Sequence, residues 1–422
     1  MKPIKSISKN QVWMAFVLCF ATLSIVAQNA FTEYKGVVID NENRNPLESV
    51  NLQVKNTNIS TVTNADGAFI LKVPETTNEH IVIFSLLGYQ TKEVNLDGLP
   101  KEDAKITLSM TINELEPIKV VGFSSAEALV KRVFQEKKKN NPDQPVLMTA
   151  FYRETIKRRN RNVALTEAVV DLYKQSYLNH SNDVMKLNKA RKSTDYQRLD
   201  TIAFKLQGGP FSTLYLDVMK YPEYIFTPET IPYYTYTFDP PTTMNDKLVY
   251  VVNFKDLLSD DALGYTGKLY IDAASLALTS ATYALDIKDK KKVSDVFVRK
   301  KPKDVVVIPT KAEYKVNYQE KDGKWYFSYG NTSLSFKVNK KRQLFNQVYS
   351  VSSEMAVTDW ETTTSSDNMD MLKDRLRPSV IIADAVSGFS DPNFWGPYNL
   401  IEPEKSIESA IDKIRKKLKR DN

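Results

Sequence analysis

Asn64-Ala65-Asp66-Gly67-Ala68-Phe69-Ile70-Leu71-Lys72-Val73-Pro74 is the stretch from which the architecture can be read. Asn-Ala-Asp-Gly makes a tight turn, with glycine where a positive φ is cheap. Phe69, Leu71 and Val73 then recur at every second position, the period of a strand with one buried face, and Pro74 ends it. Working outward, Gly36-Val37-Val38-Ile39-Asp40 reads as a strand and Asn41 to Pro46 as a turn. Val50, Leu52 and Val54 put three apolar side chains on one face. Ile81 to Phe84 is an apolar strand, Gly88-Tyr89 a turn, and Ile106 and Leu108 belong to a last strand. About seven short strands at this spacing predict a β-sandwich over residues 32–115.

The same residues carry a family resemblance. Gly36-Val37-Val38 with Asp40, Pro46-Leu47 with Val50, Thr61 to Thr63, the Asn64–Phe69 turn and Phe84-Ser85-Leu86-Leu87-Gly88-Tyr89 resemble the carboxypeptidase regulatory-like domain. The resemblance implies a transthyretin-like sandwich that contributes no catalytic residue. In Gram-negative envelopes such a module precedes many TonB-dependent receptors. Glu114 to Gly122 is similar to the segment that joins it to a receptor plug. No plug pattern follows; Ala126, Leu129, Val130 and Val133 instead share one face of a helix inside a linker spanning residues 116–147.

The N-terminus reads as an export signal. Lys2, Lys5 and Lys9 precede an apolar run from Val12 to Ala27, which predicts a signal peptide over residues 1–27. Removing those three lysines lowers the formal charge from +7 to +4, which takes away most of the electrostatic case for a nucleic-acid partner. It also removes Cys19, the only cysteine. The expected location is the periplasm or the outer-membrane periphery of a Gram-negative bacterium.

Composition narrows the chemistry. The chain has 422 residues, 42% hydrophobic and 26% charged, an ordinary globular balance. Its two histidines, His80 and His180, stand in unrelated contexts, without the spacing of a zinc peptidase. No Gly-x-Ser-x-Gly elbow, P-loop or dinucleotide fingerprint occurs. The sequence therefore predicts no catalytic residue, no metal and no cofactor. Carboxylate-pair chemistry stays open, because sequence does not show how far apart two acids lie.

From 148 to 360 the pattern is β again, with longer strands. Phe151-Tyr152-Arg153-Glu154, Ala164 to Tyr173, Val249 to Phe254, Gly267 to Asp272 and Leu276 to Ile287 read as strands, and so do Val293-Val298, Val305-Ile308, Ala312-Tyr318, Trp325-Phe336 and Phe345-Val357. Consecutive hairpins predict a mainly β protein, in which the sandwich is followed by a curved antiparallel sheet or half-barrel with a few helices. Gly264 to Asp272 with Leu276-Ala277-Leu278 resembles the half-barrel of periplasmic lipoprotein carriers. The whole arrangement, with Phe394-Trp395-Gly396 near its end, is similar to envelope proteins without an assigned activity. Residues 361–422 read as a loop and an amphipathic helix, with Ile407, Ile411, Ile414 and Leu418 on one stripe. That stripe packs on its own domain or touches a membrane surface.

Aromatic residues concentrate between Tyr221 and Pro241. Tyr221, Tyr224, Phe226, Tyr234, Tyr236 and Phe238 are the candidate ligand-binding residues, and the last three alternate along one strand face. Two readings stay open: an aromatic wall for an apolar ligand or a partner strand, or an aromatic core with hydroxyls at its rim. The expected function is a non-catalytic envelope binding or interaction protein. The alternatives are a hydrolase with an unrecognised carboxylate pair, or a structural, transporter-associated protein.

Overall fold

Alternation along the first strands builds two small sheets. The structure, a computed structural model, describes residues 30–111, 123–159, 161–194, 209–257, 263–297, 304–340, 346–363, 372–382, 394–405, 407 and 409. Strands β1 (Phe31–Asp40), β4 (Ala68–Pro74) and β7 (Ala104–Leu108) form one sheet, in the order β4-β1-β7. Strands β2 (Asn51–Val54), β3 (Ser60–Val62), β5 (Ile81–Ser85) and β6 (Lys92–Asn95) form the other, in the order β3-β2-β5-β6. Leu52, Val54, Phe69, Leu71, Val82 and Phe84 fill the space between them. The turn read from sequence is present: Asn64 Oδ1 accepts from the Asp66 and Ala68 N–H groups, and Gly67 sits at φ +70°.

The second unit is one open antiparallel sheet of ten strands. Its members are β8 (Val146–Arg158), β9 (Arg161–Lys174), β10 (Val184–Thr194), β11 (Tyr234–Met244), β12 (Lys247–Asp256), β13 (Tyr265–Asp272), β14 (Leu278–Leu285), β15 (Val305–Lys321), β16 (Lys324–Lys340) and β17 (Gln347–Thr362). The order β10-β9-β8-β17-β16-β15-β14-β13-β12-β11 leaves β10 and β11 as edges. The mainly β architecture is the one expected.

Each strand alternates between two faces, and different elements cover them. On the helix face, Met148, Ala150 and Tyr152 meet Leu129, Val130 and Val133 of α1 (Ala126–Gln135), together with Phe211 and Leu214 of α3 (Phe211–Leu214). Helix α1 begins where Ser125 Oγ accepts the Ala128 N–H, and its buried face is the one marked out by spacing. A one-turn helix, α2 (Lys137–Asn140), follows it. On the sandwich face, Phe151, Val169, Tyr329 and Ala356 pack with Val62, Ile70, Trp395 and Leu400.

One expected strand is a helix. Residues 293–298 were expected to be extended, and the chain forms helix α4 (Lys290–Phe297) there. Asp289 Oδ1 accepts the N–H groups of Lys291 and Lys292, which caps a helix start. Val293 is fully buried in a core that also holds Leu334 and Phe336, so burial and the cap override the β-branched run. The stretches Val305-Ile308 and Ala312-Tyr318 also form a single strand, β15. The signal-peptide segment and most of the amphipathic C-terminal stripe lie outside the described residues. No helix among the described residues is long and apolar enough to cross a membrane.

Candidate functional site

A C-terminal segment holds the sandwich against the ten-stranded sheet. Asn399 Oδ1 accepts the Lys72 N–H at 2.7 Å, and its Nδ2 donates to the Lys72 carbonyl at 3.0 Å. Thr61 Oγ1 donates to the Leu400 carbonyl, and Asn64 Nδ2 to that of Glu402. From the other side, Arg153 Nη2 donates to the Ile401 carbonyl at 2.6 Å and to Glu167 Oε1 at 2.7 Å. Trp395 meets Phe151 edge to face at 5.5 Å and lies under the Arg191 guanidinium at 4.8 Å. A second seam joins the 86–91 turn to the β11–β12 hairpin: the Gly88 N–H donates to the Thr243 carbonyl at 2.8 Å, and the Thr91 N–H to Asp246 Oδ1 at 3.2 Å.

A cavity of about 550 Å³ lies between the two units. Strand periodicity explains its lining. Leu52 and Val54 point into the sandwich core, so Asn51 and Gln53 point outward. Val82 and Phe84 do the same for Ile83 and Ser85, and the register sets Asn51 opposite Ser85 and Gln53 opposite Ile83. The facing wall is the sandwich face of β13 to β15. There Ser280 pairs with Asn317 and Thr282 with Lys315, beside Tyr270 and Gln319. Asn245 and Asp246, both at positive φ in the hairpin turn, close one side.

Polar groups here are unevenly satisfied. Ser280 Oγ donates to the Val316 carbonyl and to Asn317 Oδ1. Gln319 is 7% exposed, yet neither its Oε1 nor its Nε2 has a hydrogen-bond partner. Thr91 Oγ1, also at the cavity wall, is likewise unpartnered. Burial pushes the Lys315 ammonium below the usual lysine range, and the negative charge of Glu48 only partly opposes this. Native proteins leave few buried polar atoms without partners. The cavity's size and its polar lining from both units mark it as the candidate site.

The aromatic candidates stand elsewhere. None of the six lines the cavity. Tyr221, Phe226 and Tyr234 are buried on the helix face, where Phe226 meets Phe254 at 5.0 Å and Tyr234 at 5.8 Å. Tyr236 is half-buried and its hydroxyl donates to the Ile231 carbonyl. Phe238 shares their strand face and is exposed. Tyr224 lies in a short 3₁₀ turn, and its side chain is outside the described residues. The core reading of this stretch is thus the one its packing follows for Tyr221, Phe226 and Tyr234.

Beneath these rings is a charge cluster that no motif announced. Lys174 is 1% exposed and bonds Asp183 at 2.6 Å and Asp217 at 2.7 Å. Tyr177 and Tyr318 donate their hydroxyls to Asp217 at 2.8 and 2.9 Å. Burial alone would push the Lys174 ammonium down, and the two carboxylates outweigh it and raise it. The cluster ties residues 209–221 to β9 and β15. Among the described residues, no group of three His, Cys, Asp or Glu side chains is placed to hold a metal ion.

Residues 34–128 match the family model of the CarboxypepD_reg-like domain. The regulatory-like domain therefore supplies one wall of the cavity. The chain is similar to TonB-dependent receptor P3 of Formosa agariphila, 28% identical over 119 residues, covering 28% of this chain and 11% of the receptor. It thus spans about a tenth of that relative's length. Among solved structures, an outer membrane lipoprotein-sorting protein domain from Vibrio parahaemolyticus aligns over 59% of this chain and 96% of its own, at 11% identity and TM-score 0.26. A DUF1329 family protein from Desulfovibrio piger aligns over 58% and 92%, at 12% identity and TM-score 0.23. Likenesses of that size say nothing about a ligand.

Proposed function

We propose that this chain is a non-catalytic binding protein of the cell envelope, and that it holds its ligand in the cavity between the regulatory-like domain and the ten-stranded sheet. The observation that carries the reading is the cavity itself: about 550 Å³, of ligand size, between two walls that line it with polar side chains such as Asn51, Gln53 and Asn317. Clefts between domains are a frequent place for ligands, because two independently built walls supply convergent polar groups. The envelope assignment draws on the charged, then apolar N-terminus and on the receptor relative that shares the module. The regulatory-like domain acts as one jaw, clamped by residues 394–405, and does no chemistry.

Cell fractionation followed by native mass spectrometry of the purified protein tests this. The expected result is recovery in the envelope fraction with a bound small molecule at 1:1 stoichiometry. Recovery in the cytoplasm, or turnover of the captured molecule by the protein, overturns the proposal.

A further inference from the structure

We infer that one end of the ten-stranded sheet docks on an anionic lipid surface, with Arg159, Arg161 and Lys337 over the headgroups and Val306 and Val348 at the interface. The inference goes beyond the binding role proposed above and does not depend on the cavity.

Strand register gathers the charge. Arg158 lies opposite Arg161 across the β8–β9 turn and opposite Tyr349 at the start of β17. Val338, near the end of β16, is opposite Gln347, and Lys340 is opposite Val305 at the start of β15. The neighbouring strands β9-β8-β17-β16-β15 therefore bring Arg158, Arg159, Arg161, Lys337 and Lys340 to one end. Helix α4, in the connection from β14 to β15, adds the exposed Lys290 and Lys291. Acids at this end do not balance them. Asp256 and Asp286 share Lys288, at 3.6 and 3.5 Å, and Glu404 is paired with Lys157. That leaves Asp289, which caps α4, with Asp295 and Asp304 against the more numerous cations. Residues 298–303 and 341–345, outside the described residues, contain no acid that could offset this charge; in sequence they hold Arg299, Lys300, Lys301, Lys303, Lys341 and Arg342.

Exposed apolar side chains stand among these cations. Val348 is opposite Lys337 and Val306 opposite Asn339, so all four share one face of the sheet. Val306 is 49% exposed and Val348 40%. The sandwich meets the sheet toward its other end and leaves these valines open. There Ser60 Oγ donates to the Val357 carbonyl, Asn58 Nδ2 to that of Trp360 and the Gly88 N–H to that of Thr243. Cations alone would suit any polyanion. Cations around uncovered valines suit a lipid interface, where charge meets anionic headgroups and the apolar side chains leave water.

Co-sedimentation of the purified protein with vesicles tests the inference. Vesicles of equal parts phosphatidylglycerol and phosphatidylethanolamine should be bound at least about tenfold more tightly than phosphatidylcholine vesicles, and the difference should shrink at high salt. One Lys or Arg near an anionic surface changes partitioning by roughly fivefold. The triple variant Arg159→Gln, Arg161→Gln, Lys337→Gln should therefore bind anionic vesicles on the order of a hundredfold more weakly. Lys101→Gln, Lys105→Gln, Lys138→Gln removes the same charge elsewhere on the surface and should change binding by less than about fivefold. Val306→Ser with Val348→Ser should weaken vesicle binding and leave binding to soluble polyglutamate unchanged. The circular-dichroism spectrum of each variant confirms its fold. Equal binding to the two kinds of vesicle, or to neither, overturns the proposal. So does an equal loss in the two triple variants, or a valine variant that binds vesicles like the unaltered protein. Tighter binding of polyglutamate than of anionic vesicles replaces the lipid surface with an acidic protein partner.

Discussion

Replacing Gln319 by methionine should stabilise the protein. The Gln319 amide is shut off from water and unpartnered, and it stands 7% exposed on β15. Leaving a buried polar group unsatisfied costs about 1–3 kcal/mol. Methionine keeps the unbranched shape and nearly the volume, so it removes that cost without opening a cavity. The expected gain is therefore about 1–3 kcal/mol. Urea unfolding reads it directly: with a slope of roughly 3 kcal/mol per molar, the midpoint should rise by about 0.3–1 M at unchanged slope. A midpoint that stays put or falls would show that the amide is satisfied in the free protein.

Other outcomes follow from the same structure. Lys174→Met leaves Asp183 and Asp217 buried without their cation and should cost about 3–5 kcal/mol in denaturant unfolding, much of it recovered by adding Asp217→Asn. Glu154, half-buried on the helix face and hydrogen-bonded by Tyr152 at 3.1 Å, is pushed up to about 7 from 4.5 by burial. The folded chain then holds a proton that the unfolded chain has released, so stability should fall by up to about 3 kcal/mol between pH 4.5 and 7; Glu154→Gln should flatten that slope in urea midpoints measured across the range. Gly330→Ala drives a Cβ to 2.7 Å from the Thr213 carbonyl, so α3 must shift and thermal unfolding should report a loss of about 1–3 kcal/mol. Trp395→Ala removes the ring between Phe151 and Arg191 and should cost about 3–5 kcal/mol, with faster proteolysis between the two units.

The parts of the fold that sequence shows are those where one residue's neighbours along the chain decide its surroundings. The Asn64–Gly67 turn and the alternation of Phe69, Leu71 and Val73 gave the sandwich, because turn chemistry and a period of two are local signals. Ala126, Leu129, Val130 and Val133 gave α1 with its correct buried face. Residues 293–298 were misread because Val293 and Val296 have strand propensity, whereas the Asp289 cap and the pocket for Val293 lie outside that window. The site was invisible for a related reason. Asn51, Gln53 and Ser85 look like the solvent face of a sandwich, and Lys315, Asn317 and Gln319 like the solvent face of a hairpin. Only the docking seams, Asn399 on Lys72 and Gly88 on Thr243, bring the two polar faces together. The Tyr221–Phe238 stretch had the stronger composition signal, and that signal reflects how much of residues 209–238 packs against the helix face.

Where a captured ligand sits is the most direct measurement. A crystal structure of the protein purified from the envelope with its bound molecule is predicted to show density between the β2–β5 face and the β13–β15 face. Density beside Tyr234 and Tyr236 on the helix face, with the interdomain cavity holding only solvent, would contradict the account.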